Sequence, residues 1–169
     1  MGDRAVTLSW VAVIALSAWL GAALLLAAVV APAAFAVLPT RTLAGALVGR
    51  VLPVVFYSGA TLGIVVALVG RPTAPSLGRT LAGVAMVATC LAAQLVVAPR
   101  IERVRTEVAR PIDDLPVGDP RRAAFGRLHG LSVLLLGVAG IAAAAALMLT
   151  LRVTPLASTT HSANQHLEP

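Results

Sequence analysis

The chain has 169 residues, 59% of them hydrophobic and only 12% charged, with a mean hydropathy of +0.92, which excludes an ordinary soluble globular domain and makes the bilayer the expected solvent. The formal net charge of +6 comes from arginine alone, since the sequence has no lysine. In so apolar a chain this charge speaks to membrane topology rather than to nucleic acid, for which no aromatic-basic surface or binding module is present.

A spanning helix needs about 20 apolar residues, and four stretches reach or approach that length: Leu8 to Val37, Leu43 to Val69, Thr80 to Ala98 and Leu128 to Leu151. None has a polar face, and backbone amides in lipid must bond within their own segment. The expected fold is therefore an all-α integral membrane protein, a four-transmembrane-helix antiparallel bundle with an amphipathic cytoplasmic helix between helices 3 and 4. We read residues 1–157 as one membrane domain, with helices over 8–37, 43–69, 80–98 and 120–152, a cytoplasmic loop over 99–119, and a disordered polar tail over 158–169.

The first span follows Arg4 and ends near Ala34-Phe35-Ala36, a small-x-small pattern like a signal-peptide cleavage site. Its apolar run is about twice the 7 to 15 residues of a cleavable segment, so it is read as a retained helix. Pro32 removes the amide that would bond the carbonyl of Ala28 and predicts a kink over residues 29–33. Either neighbouring helices satisfy the freed group or the kink lines a cavity. In the second span Gly45 and Gly49, and again Gly59 and Gly63, have the spacing that lets membrane helices approach closely.

The third span places Met86, Cys90 and Gln94 on one face. A thioether and a thiol suit a soft cation such as Cu(I), and with His129 they are the weak metal candidates. The same residues equally serve as apolar filling. As the single cysteine, Cys90 excludes an intrachain disulfide. Beyond Pro99-Arg100 the segment IERVRTEVARP sets Ile101, Val104 and Val108 on one face among charges. That predicts an amphipathic helix at the headgroup level or projecting from it, ended by Pro111 and Asp113-Asp114. Asp119-Pro120 then reads as a helix N-cap followed by proline at the first helical position.

The last span opens with FGRLHGLSV, Phe125 to Val133. Phe125, His129 and Ser132 fall within about 60° of one another on a helix, with Arg122 and Leu136 in or beside the same sector. The result is a stripe that descends into the bilayer as cation, aromatic, imidazole, hydroxyl and then aliphatic, while Arg127 faces elsewhere. Two readings are open: His129 and Ser132 tie helix 4 to its neighbours by hydrogen bonds, or the stripe lines a polar entrance with His129 as a proton-responsive or ligand-binding group.

Counting arginines by side sets the orientation. Arg41, Arg50, Arg100, Arg103, Arg105, Arg110, Arg121, Arg122 and Arg127 share one side, against Arg4, Arg71, Arg79 and Arg152 on the other. The positive-inside rule places the long loop in the cytoplasm and both termini outside, in a bacterial-type inner membrane.

The motif F-x-x-x-H-G-x-S-V that opens the last helix resembles the hallmark of the transmembrane protein 205-like family, small four-helix membrane proteins whose bacterial members carry a domain of unknown function. Trp19-Leu20-Gly21, VVAPAAFAVL with Pro32 and Phe35, AGALVGRVLPVVF over residues 44–56, and Pro99-Arg100-Ile101 are similar to the same family's pattern. The similarity spans roughly Leu16 to Gly140. Leu52 replaces an aromatic residue, and Leu136 stands where many members have an asparagine, which makes the polar path here shallower. A eukaryotic member is associated with resistance to a platinum drug, so the resemblance implies export of a small solute or metal.

No catalytic constellation is present: no HExxH, no CxxC, no phosphate-binding glycine loop and no credible Ser-His-Asp set. An enzyme is not expected, and no cofactor is predicted. His129 is the only histidine outside the polar tail, so paired histidine ligation of haem in the membrane would need a second copy. The leading expectation is a multi-pass protein that moves, or assists export of, a small solute or metal, with the lipid bilayer as its medium and a homo-oligomer or partner subunit completing the path. The alternative is a non-catalytic scaffold whose basic loop docks a partner or anionic lipid. A haem- or metal-holding subunit comes third.

Overall fold

The computed structural model describes residues 2–69, 76–108, 111–116 and 118–153. Four long helices carry the chain. The first, α1, covers 2–37 as Gly2–Leu25, a π-helical turn Leu26–Val30, and Ala31–Val37. The second, α2, is Arg41–Val69. The third, α3, covers 76–106 as Ser76–Leu91, a π-helical turn Ala92–Val97, and Ala98–Thr106. The fourth, α4, is Pro120–Val153. Each is long and apolar enough to cross a membrane, and the chain is an all-α membrane bundle. The polar tail over 158–169, Arg71 and Arg110 lie outside the described residues.

Prolines in α1 and α3 are handled identically. The π turn ends two residues before Pro32, where the Ala31 N–H bonds the carbonyl of Leu26; likewise it ends two residues before Pro99, where the Ala98 N–H bonds the carbonyl of Ala93. A proline ring clashes with the carbonyl four residues back and offers it no N–H. Widening the preceding turn relieves that clash and lets the helix run on. Hence α3 does not stop at Ala98: the amphipathic segment is its continuation, one rod to residue 106.

Helix starts follow their side chains. Thr40 Oγ1 accepts the Leu43 N–H at 3.2 Å, and Asp119 Oδ1 accepts the Arg121 N–H at 2.8 Å ahead of Pro120, the cap and first-position proline that the sequence indicates. Ahead of that cap comes a 3-10 turn at Ile112–Asp114, and buried Leu115 fastens the connection to the bundle.

The core is built from small side chains around a few large ones: Leu16, Trp19, Phe56, Met86 and Cys90 among alanines 60, 139, 143 and 146. Gly63 and Gly83 bring α2 and α3 into backbone contact, because a Cβ on either would lie 2.7–2.8 Å from the other's carbonyl oxygen. Gly59 leaves room for the Trp19 indole, whose Nε1 donates to the Val55 carbonyl at 2.8 Å. Apolar faces such as those of Ile14, Leu77 and Ile141 point outward, as lipid permits.

Candidate functional site

At the end of the bundle where α1 gives way to α2 and α3 to α4, the helix pairs part. Residues 31–37 of α1 pack on α2, while residues 98–106 of α3 pack on α4. Between them lies a cavity of about 740 Å3 with walls from all four helices. That volume is within the 300–1,000 Å3 typical of small-molecule sites.

The last-helix stripe forms one wall. Phe125, His129 and Ser132 all line the cavity, and the Phe125 and His129 rings stack with centroids 6.2 Å apart and planes 9° from parallel. Neither His129 nor Ser132 hydrogen-bonds a neighbouring helix among the described residues. Arg122 leaves it. Its Nη1 donates to the Leu115 carbonyl at 2.8 Å, which holds the connection in place.

Opposite the stripe stands the Gly45/Gly49 face of α2, with Leu52 and Pro53 below it. Proline lacks an N–H, so Pro53 supplies no helical partner for the Gly49 carbonyl. The α3 wall presents Gln94, Ala98, Ile101, Glu102 and Arg105. The Arg105 guanidinium reaches across the gap: its Cζ is 5.5 Å from the Phe125 ring centroid, and an Nη atom would lie 3.0 Å from a Cβ built on Gly45. The first glycine pair of α2 therefore receives an arginine, whereas the second serves helix packing.

Of the helix 1 residues, Phe35 lines the cavity. Pro32 is exposed beyond the π turn, Trp19 is buried as the brace to Val55, and Gly21 faces outward with nothing within 4 Å of a built Cβ. The metal candidates are separated. Met86 and Cys90 are 0% exposed in the core, while His129 is on the cavity wall, and among the described residues no group of three His, Cys, Asp or Glu side chains could hold an ion.

The sequence shows Arg105 and Glu102 as charges on a separate amphipathic helix and joins neither them nor Gln94 to the stripe. Part of the signal is in the sequence: Ala98, Ile101 and Arg105 repeat at helical spacing beyond the π turn, a face that exists only if the helix continues through Pro99, whereas the phase of Gln94 relative to them is set by the π turn. At the far end of the bundle a second cavity, lined by Ser9, Ala12, Val66, Arg79 and Thr150, measures about 10 Å3, room for no more than one water.

A family model described as a domain of unknown function, DUF4149, matches residues 14–110, from within α1 past the end of α3. No curated protein and no solved structure matches the chain.

Proposed function

We propose that this chain, which belongs to the DUF4149 family, is a membrane protein that takes up a small solute in the cavity at its loop-bearing end and moves it or hands it on. One observation carries this reading. Phe125, His129 and Ser132 of the last helix line one ligand-sized space, and among the described residues neither His129 nor Ser132 hydrogen-bonds a neighbouring helix. Ionisable groups at membrane depth are costly unless they face a cavity or a partner.

The resemblance to the transmembrane protein 205-like family supports the same reading. Its most specific motif, Phe125 to Val133, lies outside the segment 14–110 matched by the family model, and it is the wall of the cavity. A solute is favoured over a metal because the sulfur side chains are in the core. The arginine distribution supports a loop end in the cytoplasm and both termini outside. Four helices enclose only the entrance, so a second copy or a partner subunit completes a path.

The scaffold alternative rests on the exposed arginines of α3. Arg100 and Arg103 are exposed, whereas Arg105 belongs to the cavity, so surface docking is tested at the first two only. The experiment is complementation of cells lacking the protein across a panel of toxic amphipathic solutes. Gly49→Leu, which fills the cavity at a position with no closer neighbour than Arg105 at 4.0 Å, and His129→Ala are expected to lose the protection that wild type restores. The pair Arg100→Glu/Arg103→Glu is expected to keep it. The reverse pattern would establish the scaffold.

A further inference from the structure

The cavity's charges and polar groups are not evenly spread. Arg105, with Arg41 and Glu102, sits toward the loop end, and Gln94, Ser132 and Pro53 lie deeper. Arg105 is eleven positions beyond Gln94 on α3, a rise of about 16 Å at 1.5 Å per residue. Apart from the His129 imidazole, the wall between is apolar or aromatic: Leu52, Ala98, Ile101 and Phe125.

Arg105 is the group that demands explanation. Among the described residues no carboxylate lies within ion-pair distance of it and its guanidinium donates no hydrogen bond. Its neighbours are the Phe125 ring face and the Gly45 backbone. The aromatic face fixes the guanidinium plane, and five donors in a fixed fork remain for an acceptor. Glu102 and Arg41 are both exposed at the rim, where water screens them. Counting these three charged linings, the cavity carries one net positive charge, which a monoanion neutralises.

We propose that the ligand is an amphipathic organic monoanion: an acid group on Arg105, an apolar body along Leu52, Ile101 and Phe125, and a hydrogen-bonding group at its far end that reaches Gln94 and Ser132. The proposal rests on the cavity reading above and adds the chemical class. A free single-body acid fits better than a bilayer phospholipid, because the space is that of one small ligand and its deep end is polar, where an acyl tail would strand Gln94 and Ser132 without partners.

The test is equilibrium binding of radiolabelled 12-hydroxydodecanoate to the full chain in phosphatidylcholine nanodiscs, with unlabelled dodecanoate and 1,12-dodecanediol as comparison ligands. The expected result is saturable binding, weakened at least tenfold by Arg105→Gln and unchanged by Arg103→Gln. Competition by the uncharged diol is expected to be unaffected by Arg105→Gln, which also shows that the variant is folded. Gln94→Leu is expected to weaken 12-hydroxydodecanoate while leaving dodecanoate unchanged. Binding that survives Arg105→Gln overturns the anion assignment; if Gly49→Leu still blocks it, the cavity reading stands, and if Gly49→Leu has no effect, that reading falls too. Loss of binding in nanodiscs containing phosphatidylglycerol assigns Arg105 to a bilayer lipid and overturns the free-acid proposal.

Discussion

Glycines that look alike in the sequence do different work in the bundle. Gly63→Ala or Gly83→Ala would drive a methyl group into a carbonyl oxygen across the α2–α3 contact, and neither backbone can yield without separating the helices. A loss of about 1–3 kcal/mol is expected, seen as a lower thermal midpoint in detergent. Gly126→Ala, with nothing within 4 Å of the built Cβ, should leave the midpoint unchanged. Trp19→Phe removes the N–H that reaches Val55 and should cost about 0.5–1.5 kcal/mol, the range of interhelical hydrogen bonds in membrane proteins. The sequence motif groups Trp19 with Gly21, yet one braces two helices and the other faces outward. Spacing within a single helix cannot tell these apart, because the direction of each face is set by helices far away in the chain.

The spans themselves were legible, since a run of about 20 apolar residues has few alternatives to a membrane helix. Their ends were not. Pro99 reads as a terminator, and the structure runs through it by widening one turn, as it does at Pro32. The consequence reaches the site, because the extra residue in a π turn changes the phase of everything beyond it by about 100°. Pro99→Ala lets residues 92–97 return to α-helical bonding and turns Arg105 off the cavity. Binding of 12-hydroxydodecanoate should then fall as far as in Arg105→Gln, while the thermal midpoint holds or rises because a proline has left the helix. A midpoint that drops instead would show that the wide turn is held by packing rather than by the proline.

At the scale of the whole molecule, the bundle is closed where Gly63 meets Gly83 and parts toward the loop-bearing end. That asymmetry gives the proposed orientation a functional meaning: on the orientation we propose from the arginine count of the sequence, the cavity opens toward the cytoplasm. A C-terminal tag should be reached by protease or antibody only from outside intact cells; access from the cytoplasm alone would invert the topology and put the cavity on the outer face. The stripe Phe125, His129 and Ser132 could be seen in the sequence because one helix carries it. The cavity could not, since Gly45, Arg105 and Phe35 join it only through tertiary contacts.

The cavity itself is the claim on which the rest depends, and its openness can be read by chemistry. Ser132→Cys adds a second thiol to a chain whose native Cys90 is 0% exposed in the core, so each sample carries its own unreactive control. The variant in open membrane vesicles is treated with a water-soluble maleimide and the modified residue identified by mass spectrometry. Labelling of position 132 without labelling of Cys90, and suppression of that labelling by Gly49→Leu, is the predicted result. A thiol at 132 as inert as Cys90 in the folded protein would contradict the account, because the stripe would then be sealed within the bundle.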